Sequence, residues 1–107
     1  MIVMIAGRGK YKVWLEKKKV GKETVLFLFG GEKPHVGCVI IVEPKRKTKL
    51  IKFDNHKDYI VARPIAEKFC KKTKRRVVCV AGIHVDNATK EEIKILVDNC
   101  KKIEERI

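Results

Sequence analysis

Three short, almost unbroken apolar runs set the main limit on what this chain can fold into: residues 24–29 (TVLFLF), 36–42 (VGCVIIV) and 76–82 (RVVCVAG). Each is too short for an ordinary helix and rich in Val, Ile and Phe. None alternates in the way a strand with one wet face does. They therefore read as buried strands, with 24–29 central in a sheet. The rest of the chain must supply the strands and helices that cover them.

Residues 2–6 form a further short apolar strand, ended by a turn at Gly7-Arg8-Gly9. Tyr11, Val13 and Leu15 alternate with Lys12, Trp14 and Glu16, the period of a half-buried strand. Gly30 to Pro34 breaks the central run, and residues 49–53 supply one more short strand. In the second half the period lengthens. Asn55 reads as a helix N-cap, with Asp58 completing a capping-box arrangement, and Ala62, Ile65, Ala66, Phe69 and Thr73 share one face of a helix over 57–73. Pro64 either kinks that helix or stands in its first turn. Thr89 and Glu92 form a second capping box, heading a helix whose apolar stripe is Ile93, Leu96, Val97, Cys100, Ile103 and Ile107. The expectation is an α+β fold: one two-layer domain over residues 1–107, in the order βββββαβα. Its sheet has five to six mostly antiparallel strands, with two helices on one face.

Charge is the next constraint. The 107 residues carry 26 Lys plus Arg against 13 Asp plus Glu, a net charge of +13. A nucleic-acid partner is one reading of such a surface. The excess is spread evenly, however, at +5, +4 and +4 over residues 1–35, 36–70 and 71–107. Ser and Gln are absent and Lys supplies 20 of the positive charges, a composition associated with proteins from hot environments. Nucleic acid is thus disfavoured, although Lys17–Lys19, Lys45–Lys47 and Lys71–Arg76 are local basic clusters. No apolar run approaches the ~20 residues of a spanning helix. The opening Met1–Ala6 is too short for a signal-peptide core. A cytoplasmic protein, neither membrane-spanning nor secreted, is expected. Cys38, Cys70, Cys79 and Cys100 include no C-x-x-C pair, so reduced core cysteines are expected, with a disulfide left open for a hyperthermophile source.

Several chemistries fall away. Without serine there is no serine nucleophile, and neither a P-loop nor a dinucleotide-binding glycine pattern is present. The three histidines remain, each where an element begins or ends. His35 follows the Gly30-Gly31 turn, His56 follows Asn55, and His84 follows strand 76–82, two residues before Asp86. Strand ends and helix starts are where ligands meet free backbone amides. The Gly-Gly turn lets the main chain approach an anion, Lys33 adds charge, and the helix start at Asn87–Lys90 offers a second set of amides. The plain alternative is that loop histidines are surface or structural residues, and that Asp86 and Asn87 only shape a turn. His84-x-Asp86 has no matching ligand cluster, so no metal is expected.

The segments 30–37 (GGEKPHVG), 55–58 (NHKD) and 81–89 (AGIHVDNAT) resemble the blocks of the prenylated-flavin chaperone family typified by LpdD. The resemblance covers roughly residues 8–106, and residues 44–54 depart from it into a basic segment. It implies a non-catalytic accessory protein that binds prenylated flavin mononucleotide (prenylated FMN) and delivers it to a UbiD-type decarboxylase. Carried onto this chain, Gly30, Gly31, Pro34, His35 and Gly37 form one wall of the cofactor site. His56 edges it, and Gly82, His84, Asp86 and Asn87 form the other wall. Lys33 and the histidines suit a phosphate or the polar edge of a flavin. Two other functions stay open: a small acid–base enzyme using His35, His84 and Asp86, and a basic nucleic-acid-binding module. A homodimer paired through sheet edges is the expected assembly.

Overall fold

The computed structural model describes residues 2–53 and 57–107. The chain runs through β1 (Ile2–Ala6), a 3-10 turn at Gly9–Tyr11, β2 (Val13–Val20), β3 (Glu23–Gly31), β4 (Cys38–Val42) and β5 (Lys49–Lys52). Then come α1 (Tyr59–Thr73), β6 (Val77–His84) and α2 (Lys90–Glu105). One six-stranded sheet has the order β1-β2-β3-β6-β4-β5. All its pairings are antiparallel except β3 with β6, which run parallel from Thr24↔Val77 to Gly31↔His84. The expected α+β order and the central place of strand 24–29 both hold.

Both helices pack on one face of the sheet, α1 against β4 and β6, and α2 against β1 and β2. The core is the residues pointing that way. Val13 and Leu15, Leu26 and Leu28, Cys38 and Ile40, and Val77, Cys79 and Ala81 are fully buried. They meet Ala62, Ile65, Ala66 and Cys70 from α1, with Leu96, Cys100 and Ile103 from α2. Side chains on alternate sheet positions, including Trp14, Phe27, Phe29, Val39 and Val80, are only half-buried. Of the α2 stripe, Ile93 departs: it is 50% exposed at the helix start. Among the described residues, no helix is long and apolar enough to cross a membrane.

α1 bears on two expectations from the sequence. It runs unbroken through Pro64, which sits in the body of the helix and removes one i→i−4 hydrogen bond. The expected capping-box partner, Asn55, lies outside the described residues; Asp58 stands at the N-cap position, with helical φ and ψ and no side-chain bond to the first turn. The first amides are met by main chain instead, Val61 and Ala62 N–H both donating to the Asp58 carbonyl. The α2 box is present in full, with Glu92 N–H on Thr89 Oγ1 at 3.1 Å and Thr89 N–H on Glu92 Oε1 at 3.0 Å.

Candidate functional site

The strand order dictates where the site forms. β6 enters the sheet between β3 and β4, so the chain leaving β3 at Gly31 must cross the end of β6 to reach β4. That crossing brings segments 30–37 and 81–89 together, and glycines make it possible. A Cβ at Gly82 would collide with the His35 carbonyl, and one at Gly31, where φ is +78°, with the His84 main chain. A Cβ at Gly30 would strike Lys12 and Val13. The crossing is then stitched by main-chain bonds. Glu32 and Lys33 N–H both donate to the His84 carbonyl at 2.8 and 3.1 Å, and Gly37 N–H donates to Ala81 at 2.8 Å. The close approach that these glycines permit is of protein to protein.

The crossing sets His35 and His84 edge to face, with ring centroids 6.1 Å apart. His35 Nδ1 donates to the Lys33 carbonyl at 3.1 Å, while its Nε2 faces Asp58 Oδ2 at 3.6 Å. Asp58 comes from the start of α1, is 8% exposed, and accepts the Ile83 N–H on Oδ1 at 3.2 Å. Gly37 is the position where a Cβ would meet Asp58 Oδ2 and the His35 ring. His84 Nε2 donates to Asp86 Oδ1 at 2.9 Å, and Lys33 Nζ lies 2.7 Å from Asp86 Oδ2. Lys33 first, then His84, holds the Asp86 carboxyl below the usual carboxylate range, so the acid stays ionised between two basic groups.

Beside this cluster lies a cavity of about 410 Å³ between the start of α1, the end of β6 and the first turns of α2. Its walls are mostly aliphatic: Val61, Ile83, Val85, Ala88, Ile93, Leu96 and Val97, with the Cys100 thiol. Lys57, Asp58, His84 and Asn87 supply the polar groups. The size and the apolar lining with a few polar groups match those of small-molecule sites. Asn87 adopts a left-handed conformation, φ 52°, at the turn into α2. The α2 start is a poor second anion site, because the capping box occupies two of its amides and Glu91 and Glu92 stand in its first turn.

Of the residues singled out in the sequence, His84 and Asn87 line the cavity, and His35 reaches it through His84 and Asp58. Gly30, Gly31, Gly37 and Gly82 build the crossing behind it. Lys33, Pro34 and Asp86 lie exposed on its outer side. His56 lies outside the described residues. Lys57, Asp58 and the aliphatic wall went unrecognised as site residues. One signal in the sequence pointed to part of this set: Lys57 and Asp58 belong to the segment 55–58. Among the described residues, no group of three or more His, Cys, Asp and Glu is placed to hold a metal ion.

No curated protein matches the sequence. Among solved structures that match is a chain from "Crystal Structure of a Novel Chaperone Complex for Yeast 20S Proteasome Assembly". It has a TM-score of 0.61 and 13% identity, covering 99% of this chain and 90% of that one. At that identity the likeness is one of fold. The family match is more direct, spanning residues 7–107 and so including the whole crossing, both histidines and the walls of the cavity. The chain belongs to the family of prenylated flavin chaperone LpdD-like domains.

Proposed function

We propose that this protein is a non-catalytic carrier that holds prenylated FMN at the His84 cavity and passes it to a UbiD-type decarboxylase. The observation supporting this reading is the pairing of an apolar cavity of about 410 Å³ with a histidine cluster inside the region that matches a flavin-chaperone family. The residues suit such a ligand. Ile83, Val85 and Leu96 offer aliphatic surface to a flat, largely apolar ring system, while His84 and Asn87 offer polar groups to its heteroatoms. Lys57, at the same cavity, suits the phosphate as a point charge. When bound to the decarboxylase, the cofactor supplies the electron sink for decarboxylation, and the carrier's residues need only bind it and shield it.

The His84–Asp86 pair favours one other reading, a small acid–base enzyme in which Asp86 orients the imidazole. One set of experiments separates the two. Purified protein titrated with oxidised or reduced prenylated FMN should perturb the flavin absorbance and give heat in a calorimeter. Adding the loaded protein to apo-decarboxylase should raise its activity. His84→Ala should weaken binding at least about tenfold while the melting temperature stays close to wild type, because the crossing uses the His84 carbonyl and not its ring. Absence of binding together with no gain in decarboxylase activity would sink the carrier role. Turnover of an acid substrate by the isolated protein, abolished in Asp86→Asn, would replace it with the enzyme.

A further inference from the structure

The face of the sheet opposite the helices is apolar across its inner strands, and no described element covers it. Cross-strand pairing places Trp14 beside Phe29, Phe27 beside Val80, and Val80 beside Val39. The rings form a cluster, Trp14–Phe29 at 6.5 Å and Phe27–Phe29 at 6.0 Å between centroids. The parallel β3–β6 pair lies in its middle, and parallel strands are as a rule covered on both faces. Both are continuously apolar, the pattern of strands with two dry faces, yet the helices dry only one.

We infer that a second copy of this chain covers this face, the two sheets packing face to face as a twofold sandwich. Charge selects that occupant. Round the apolar centre stand Glu16, Glu23 and Glu43 against Lys12, Lys18, Lys49 and Arg76, so the face is nearly neutral on a chain carrying +13. Arg76 already binds Glu23 at 3.2 Å and Glu43 at 3.0 Å. Two such faces meet with little repulsion, whereas an RNA or an acidic protein would be drawn to the strongly basic remainder of the surface. Size agrees. With strands about 4.8 Å apart and about 3.3 Å per residue, the face is a rectangle of roughly 24 by 23 Å. That flat footprint, about 550 Å² before side-chain relief is added, approaches the about 800 Å² per partner of a standard interface. Facing sheets pack about 10 Å apart with strands crossing at about 30°, which lets the Trp14–Phe27–Phe29 cluster of one copy fill the Val39–Val80 region of the other. Sheet edges, the route expected from sequence, suit pairing less well: edge strand β5 carries Lys49 and Lys52 at its two ends.

Sedimentation of the whole protein should give twice the 12.3 kDa chain mass at micromolar concentration. Val80→Lys places a charge at the centre of the face, where the monomer leaves it half-exposed. It should raise the dimer dissociation constant by about 30-fold or more with an unchanged circular dichroism spectrum. Trp14 is the chain's single tryptophan and lies on the face, so wild-type emission should shift to the red on dilution through dissociation, a readout that needs no variant. A wild-type monomer at tens of micromolar, a Trp14 spectrum indifferent to dissociation, or a folded Val80→Lys dimer of wild-type strength would overturn the inference. So would single-stranded RNA that quenches Trp14 and is released by Val80→Glu, which would assign the face to nucleic acid.

Discussion

Asp58 stands where a helix cap is expected, yet its carboxylate turns inward, to Ile83 N–H and the His35 ring. The exposed amides at a helix start have water as an alternative, whereas the Ile83 amide inside the crossing does not, so the acceptor has more effect there. Burial first and the Asp58 charge second push the Cys38 thiol up to about 11 and the Cys100 thiol to about 12, so this one carboxylate acts on both the sheet and α2. Asp58→Ala should therefore cost about 1–3 kcal/mol by urea denaturation, the penalty of leaving a buried donor unmet. Asp58→Asn retains an acceptor for Ile83 and should lose less. Equal stability of all three proteins would show that the carboxylate does not hold the crossing. The inward position was not legible in the N-x-x-D spacing, because a local pattern contains no information about Gly37, whose missing Cβ makes that position available. The histidines were legible for the opposite reason. Residues at element ends are few, and a topology that brings those ends together brings their side chains together too.

Among the elements, α2 was the most legible, since its box and stripe are both short-range signals. Glu92 does more than close the box. It also takes Lys10 Nζ at 2.7 Å and Tyr11 O–H at 3.0 Å, tying the turn after β1 to the helix start. Lys10 chiefly, with the Thr89 amide and Tyr11, holds its carboxyl at about 2, far below the ordinary ~4.3. A carboxyl depressed in the folded state stabilises the protein above the unfolded-state pKa and loses that contribution as pH falls through the folded one. Glu92→Gln keeps a capping-box side chain but not the charge. Its melting temperature should lie below wild type at neutral pH, and the gap should close between pH ~4.3 and about 2. A gap independent of pH would mean that packing, not charge, ties the two elements. Thr89→Ala should separately cost about 1 kcal/mol. Insertion of β6 between β3 and β4 was the least legible feature. Strand pairing over such a sequence separation leaves no local trace, and its only marks are Gly31, Gly37 and Gly82, which read as a turn residue, a residue of strand 36–42 and a strand end until the chain crossing explains them.

At the scale of the whole molecule, the four cysteines sample every layer: Cys38 and Cys79 in the sheet, Cys70 in α1 and Cys100 in α2, all free and buried. Burial raises each thiol, Cys79 and Cys100 to about 12 and Cys38 to about 11, with Cys70 raised as well. The thiolate is the reactive form, so at pH 8 these residues are protected by inaccessibility and by protonation together. Cys100 lines the cavity but is only 1% exposed, so for all four it is opening of the surrounding structure that exposes the sulfur. Residues from both helices and the four inner strands, β2, β3, β6 and β4, share one core cluster, so opening any layer strips cover from the next. Alkylation of the native protein with iodoacetamide should then proceed all-or-none. Mass spectra should show chains with no adducts or with four, in proportions that follow the unfolded fraction across a urea series. A population carrying one adduct at Cys70, near the C-terminal end of α1, would show that this helix leaves the sheet before the rest unfolds. Since Lys57 and Asp58 lead into α1 and Val61 lies in its first turn, such a step would open the His84 cavity without global unfolding. The same experiment therefore distinguishes a carrier that releases its ligand by local opening from one that releases it as a rigid body.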